Sequence, residues 1–321
     1  MLGGQWLSVG LLDVGLLGLL GLLVGSFLNV VIYRLPKMME NQWAAEYAQM
    51  TAVNAAESPT AAARLELGPA VATTPVFNLM LPRSRCQQCG HQIRWFENIP
   101  VASYLFLRGK CSNCGTKISL RYPAVELVTG ALFAWSAWQW GLSATALAWC
   151  AFSAAIVALA MIDWDTTFLP DDITLPLLWG GLIAAAHKLT AVPLTTALWG
   201  AVAGYLSLWC VYWAFKLVTG TGSPHWPWQV DYWMARAASG KEGMGYGDFK
   251  LFAALGAWFG WPALIPMILM ASVIGAIVGI AMKFSSGLRE GGYIPFGPFL
   301  AGAGLTAMVF GPQTILSFIG L

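Results

Sequence analysis

Apolar residues run along this chain in long, almost unbroken blocks rather than at the period of a half-buried helix or strand. Segments of that kind avoid water around their whole circumference. The blocks cover roughly residues 8–33, 123–140, 145–162, 173–187, 195–218, 248–260, 262–283 and 296–319. Measured against the ~20 residues a helix needs to cross a bilayer, they predict an all-α polytopic membrane protein of about eight transmembrane helices. The fourth and sixth are short. Polar residues collect between the blocks, so the expected domains are a first transmembrane helix over 1–34, an extramembrane domain over 35–122 and a membrane domain over 123–321.

Composition agrees: 58% of the 321 residues are apolar, 10% are charged, mean hydropathy is +0.64 and there are 17 Trp. A soluble domain has too little interior to hide such a surface from water. The first block lacks a basic leader and a small-residue cleavage site before Arg34, so it is expected to be retained as a helix. With eight spans, all of the 17 Lys and Arg except Lys188 fall on one side. The positive-inside rule makes that side cytoplasmic and puts both termini outside. Were 248–260 only to dip in and return, Lys283 and Arg289 would become external, which favours a true span.

The extramembrane domain begins with an Ala-rich helical stretch, Ala44–Ala63, broken at Ser58-Pro59. A second loop, about 219–247, is irregular around Pro224-His225-Trp226-Pro227-Trp228. Gly21 and Gly25 form a small-xxx-small pair suited to a close helix contact. The lipid bilayer is the expected surrounding, and no nucleic-acid partner is expected.

Six cysteines divide into two kinds. Cys150 and Cys210 stand alone in apolar blocks, where a thiol acts as a small hydrophobe. Cys86, Cys89, Cys111 and Cys114 form two CxxC pairs separated by 21 residues, just beyond the usual zinc-ribbon spacing. Each pair can bite one ion from a tight turn, and the Gly that follows each pair allows the backbone to turn back. Disulfides are the alternative, but a reducing cytoplasm favours structural zinc with no open coordination position. His91 is a possible substitute ligand, with a surface role favoured. Zinc would staple a domain with little core of its own. Trp95-Phe96-Glu97-Asn98-Ile99-Pro100, between the pairs, forms an aromatic patch expected to pack on the membrane domain.

Ionisable groups at a membrane boundary are costly and usually functional. Asp248 stands in Gly245-Tyr246-Gly247-Asp248 at the mouth of one apolar block, and Asp163, Asp165, Asp171 and Asp172 end another on the same side. Asp248 can be read as a helix N-cap, yet two glycines leave bare backbone beside it for another chain to approach. Asp171 or Asp172, after Pro170, suits the cap of the fourth helix. Asp163 and Asp165 lie at a helix C-terminus, where the dipole opposes negative charge. Either one fits as the partner of Asp248.

The segment Gly25–Pro36 (GSFLNVVIYRLP), the two CxxC pairs, Ile162-Asp163-Trp164-Asp165 leading to Leu169-Pro170-Asp171, and Gly245-Tyr246-Gly247-Asp248-Phe249-Lys250 together resemble the bacterial type IV prepilin peptidases. These are GxGD-type membrane aspartyl proteases. The resemblance runs nearly end to end. It implies a catalytic pair at Asp163 and Asp248, structural zinc at Cys86, Cys89, Cys111 and Cys114, and a location in the bacterial inner membrane. It also implies two reactions: cleavage, after a Gly, of the leaders of type IV prepilins and type II secretion pseudopilins, then N-methylation of the new terminus from S-adenosylmethionine. Gly109 matches a position tied to methylation in that family. No dinucleotide-type glycine motif opens a helix after a strand, so the methyl donor's site is not legible. One departure is the stretch between Lys216–Gly220 and Lys241–Met244, where about 20 residues intervene just upstream of Asp248.

For the peptidase reading, one carboxylate activates water while its protonated partner polarises the scissile carbonyl. Two carboxylates about 4 Å apart repel by about 4 kcal/mol at an effective dielectric near 20, enough to keep one proton on the pair. Pro295-Phe296-Gly297-Pro298 opens the last block on the same side and suits either a helix start or backbone pairing with substrate. The competing readings are an ion-coupled transporter, disfavoured because the acids lie at one face, and a zinc-bearing pilus-assembly scaffold.

Overall fold

A computed structural model describes residues 10–56, 77–219, 245–284 and 294–319. The described residues form helices and loops, with two isolated antiparallel bridges and no longer strand. In chain order the helices are α1 (Leu11–Ala56), α2 (Ala102–Phe106), α3 (Arg121–Trp140), α4 (Ala144–Thr166), α5 (Asp171–Ala186), α6 (Leu194–Thr219), α7 (Tyr246–Phe259), α8 (Leu264–Phe284), α9 (Gly297–Phe310) and α10 (Pro312–Ile319). Among the described residues, four helical stretches are long and apolar enough to cross a membrane: Leu11–Met50, Ala144–Thr166, Leu194–Leu217 and Trp261–Phe284. Ser58-Pro59, the Pro224–Trp228 stretch and the added segment before Lys241 lie outside the described residues.

Two differences from the apolar pattern have simple causes. The block over 296–319 is two helices, α9 and α10, separated at Gly311-Pro312. Proline has no N–H with which to continue the α9 ladder. At the other end α1 runs for 46 residues through Pro36 and well past the apolar block, because the Ala-rich stretch that follows is itself a good helix former.

The chain divides into two compact units, Leu22–Val128, and Met1–Gly21 with Thr129–Leu321. In the larger unit α7 is the central element. Its 14 residues span about 21 Å at 1.5 Å each, too short for a bilayer core. From Asp248 to Trp258 every residue is buried except half-buried Lys250, so α7 is apolar all round because protein encloses it. It packs mainly on α5 and α6. Close approach to α6 depends on missing side chains: a Cβ on Gly204 would lie 2.6 Å from the Phe252 carbonyl oxygen, and Cβ atoms on Gly200 and Gly256 would each collide with the other's carbonyl. Small residues four apart let membrane helices meet backbone to backbone. Gly21 does the same for α1, where a Cβ would lie 2.7 Å from Phe133 Cβ.

The Trp258 end of α7 is locked by rings. Trp258 lies 5.1 Å from Trp149 and 4.9 Å from Phe152, centroid to centroid. Its indole N–H donates to the Leu177 carbonyl at 2.8 Å, which satisfies the polar atom of a buried aromatic. With that end fixed and the glycine contact setting depth, the opposite end, carrying Asp248, is fixed too.

In the smaller unit the organising residue is Arg34, buried in α1. Its guanidinium donates to the carbonyls of Asn78 at 2.9 Å, Leu79 at 3.4 Å and Pro82 at 2.6 Å. The Asn78 side chain accepts from the Met80 and Leu81 amides, so this segment is tied to α1 by its own backbone. Glu126, also buried, accepts from the Val101 amide at 2.8 Å, and Asn29 donates to the Tyr122 carbonyl at 3.1 Å.

Candidate active site and metal centre

Asp163 and Asp165 separate sharply in space. Asp163 is buried at 5% exposure, whereas Asp165 is exposed. Two residues along a helix are about 200° apart around its axis, so both cannot face inward. After Asp163, α4 ends at Thr167 in a left-handed conformation, its amide bonded to the Asp163 carbonyl at 2.8 Å. The chain then turns through Leu169-Pro170 into α5.

Asp248 is buried at 7% exposure in the first turn of α7. Its Oδ2 accepts from the Gly245 amide at 3.3 Å. Asp248 is therefore not the N-cap read from sequence: Gly245 holds that position, and Asp248, three residues on, bonds back to its amide, which orients the carboxylate.

Three segments meet around Leu169, itself 4% exposed. A Cβ on Gly247 would lie 2.7 Å from Leu169 Cβ. A Cβ on Gly297 would lie 3.3 Å from Leu169 Cδ1 and 2.5 Å from Asp163 Oδ2. Thus the glycine before Asp248, the start of α9, Leu169 and the Asp163 carboxylate share one small space that admits no further carbon at either glycine. Outside it, Lys250 Nζ grips both oxygens of Asp171 at 2.7 and 2.6 Å, clamping the turn that carries Leu169 onto α7. Neither Asp171 nor Asp172 caps α5, whose N-cap is Pro170; Asp171 is instead a first-turn residue and the ion-pair partner of Lys250. Asp172 is exposed.

The four cysteines converge in the smaller unit. Their sulfurs all lie within 4.8 Å of one another, with Cys86 to Cys114 at 3.8 Å and Cys89 to Cys111 at 4.0 Å. A tetrahedral ion bound to thiolates at about 2.3 Å holds its sulfurs about 3.8 Å apart, so the donor set fits zinc. A disulfide needs about 2.05 Å. Sequence builds the same turn twice. Cys86 N–H donates to His91 and Gly90 N–H to Cys86, matching Cys111 to Thr116 and Gly115 to Cys111. Gly90 and Gly115 both take φ +71°, the left-handed region that glycine enters without strain. The Thr116 hydroxyl, 3.2 Å from Cys114 Sγ, leads the contacts that lower the Cys114 thiol to about 6, with the Thr116 backbone, Cys89 and Cys111 adding to it. A thiolate is the form that ligates.

His91 is not one of the four converging ligands. Its Nε2 meets Glu97 Oε2 at 3.2 Å and Ser112 Oγ at 3.3 Å, linking the two turns. The Arg94 amide at 2.8 Å, then Ser112 and His91, pull Glu97 down to about 2. Trp95, in the aromatic patch, is 82% exposed. Gly109 does not build a cofactor cradle by itself: a Cβ there would strike the chain's own Tyr104 hydroxyl at 2.7 Å. Its φ of +66° opens the second cysteine turn.

Residues 19–140 match the Bacterial Peptidase A24 N-terminal domain, and residues 150–280 match the Type IV leader peptidase family. A prepilin leader peptidase/N-methyltransferase of Stutzerimonas stutzeri is 49% identical over 94% of this chain and 91% of its own length. This chain belongs to the type IV leader peptidase family. Similarly named proteins are 49% identical in Pseudomonas aeruginosa, over 94% of this chain and 93% of theirs, and 45% identical in Burkholderia pseudomallei strain 1026b, over 91% and 84%. No solved structure matches.

Sequence reasoning quoted Leu169, Lys250 and Gly297 inside motifs without giving them work. Their signal was position: each stands within two residues of a proline or an aspartate already singled out.

Proposed function

We propose that this chain, a multi-pass inner-membrane protein, cleaves the leader from type IV prepilins and type II secretion pseudopilins with Asp163 and Asp248. It then N-methylates the exposed terminus with S-adenosylmethionine as donor. The observation that carries the peptidase reading is the packing of Gly247 and Gly297 on one leucine, with Asp163 against Gly297 and Asp248 next to Gly247. One carboxylate takes a proton from water as the oxygen attacks the scissile carbonyl carbon. The other, protonated, holds the carbonyl oxygen and then gives its proton to the leaving amine as the C–N bond breaks.

In this reading α7 counts as a short span enclosed by its neighbours, which gives eight spans, periplasmic termini, a cytoplasmic domain over 35–122 and both acids at the cytoplasmic face, where a basic leader meets an apolar pilin helix. Cys86, Cys89, Cys111 and Cys114 would hold zinc, which would fix the fold of that domain without touching substrate. Gly109 acts in methylation through the shape of the second cysteine turn. Purified protein mixed with a prepilin in detergent should shorten it by the leader mass. Asp163→Asn and Asp248→Asn should each abolish this, and Asp165→Asn should be mild. Full processing by either of the first two would refute the assignment, and no processing by the wild-type chain would return the transporter and scaffold readings to the front.

A further inference from the structure

We infer that Leu169 is the residue that limits the size of the substrate side chain immediately before the scissile bond. The inference rests on the aspartate pair proposed above. For hydrolysis the scissile carbonyl carbon must come within reach of Asp163 and Asp248, and the Cβ of the residue that owns this carbonyl is only two bonds away. That Cβ therefore cannot avoid the surroundings of the acids. Leu169 stands there, 4% exposed, with its Cβ 2.7 Å from where a Gly247 side chain would begin and its Cδ1 3.3 Å from where a Gly297 side chain would begin. Glycine backbone forms both neighbouring sides, so the branched end of Leu169 is the side chain that sets the available volume.

Leu169 is also held rigidly enough to discriminate. Pro170 follows it as the N-cap of α5, with φ −64°. Next comes Asp171, gripped by Lys250 at 2.6 Å; Lys250 is two residues beyond Asp248. The turn bearing Leu169 is thereby tied to the helix bearing one of the acids, and it begins four residues after the other. A wall fixed to both acids cannot retreat from a bulky substrate without moving them. In a closed apolar pocket one methyl group changes selectivity about 10- to 200-fold. Such a wall accounts for the glycine that the family resemblance puts before the cut, and it excludes Ala and Val progressively.

The test uses the full-length protein in detergent and mixed prepilin substrates that differ only at that residue, Gly, Ala or Val, with cleavage of each followed by mass in the same tube. Because the substrates compete, the ratio of their kcat/KM values is independent of how much enzyme is folded. Wild type should cut the Ala form about 10-fold and the Val form about 100-fold more slowly than the Gly form. Leu169→Ala should raise the Ala-to-Gly ratio at least about 10-fold, Leu169→Val should raise it by less, and the volume-conserving Leu169→Met should leave it near wild type. Equal cleavage of all three substrates by wild type, or an unchanged ratio in both Leu169→Ala and Leu169→Val, overturns the inference. So does loss of all cleavage by Leu169→Val in a chain that remains folded, since a wall tolerates Val. Asp163→Asn and Asp248→Asn run alongside: residual processing there refutes the catalytic pair, whereas inert Asn variants with an unmoved ratio refute only the wall.

Discussion

Replacing Gly297 by Ala adds one methyl group at the most crowded point of the site. Its Cβ would lie 2.5 Å from Asp163 Oδ2 and 3.0 Å from Asp163 Cγ, about 0.9 Å inside ordinary contact at 3.4 Å. Either the carboxylate swings aside or the start of α9 backs away. Misplacing a reacting group by about 1 Å costs about 100-fold in rate, which corresponds to about 2.7 kcal/mol of barrier. Overpacking also costs about 1–3 kcal/mol in stability. The assay is steady-state leader cleavage of a purified prepilin, with a thermal melt of the same sample. We expect kcat to fall about 100-fold with KM nearly unchanged, because geometry rather than ground-state binding is lost. Gly302→Ala in the same helix, where a Cβ meets nothing within 4 Å, should leave kcat unchanged. Wild-type kcat in Gly297→Ala would refute the placement of Asp163 against α9.

Changing Cys86 and Cys111 together to Ser should take bound zinc from one per chain to none by elemental analysis, with cleavage falling less than methyl transfer; a metal-free wild type would refute the centre. Glu97 ionises in the folded domain at about 2, below its ordinary 4.5. Its stabilisation is therefore complete above pH 4.5 and is lost as pH falls through about 2. Glu97→Gln should melt lower than wild type at pH 7, with the gap closing on acidification; a gap that stays constant down to pH 2 would refute the linkage. Arg34→Ala strips three carbonyls of a buried charged donor and should cost about 3 kcal/mol or more. Limited proteolysis should then cut within residues 77–82, and Arg34→Lys should rescue only partly because it lacks the planar fork.

Composition and unbroken apolar blocks were enough to predict a helical membrane protein, because a chain that cannot hide its surface from water has few alternatives. The four metal-ligand candidates were equally legible, since each CxxC turn is local and repeats the same glycine-assisted geometry. The choice between Asp163 and Asp165 was legible only through the family resemblance, not from the residues themselves. It depends on which side of α4 faces the interior, and a helix apolar all round carries no periodic signal of its inward face. The sequence read residues 248–260 as a short span, but the burial of α7 on every side is a property of its neighbours, above all of glycines in α6 some fifty residues away. Gly297 and Leu169 show the same limit: a glycine's local pattern says that close approach is allowed, and only the packed chain says what approaches. The sequence alone therefore determined the solvent, the helices and the cysteine turns, all set by local chemistry. Which carboxylate is buried, and what surrounds it, was decided by tertiary packing, because those contacts join segments whose spacing along the chain carries no trace of them.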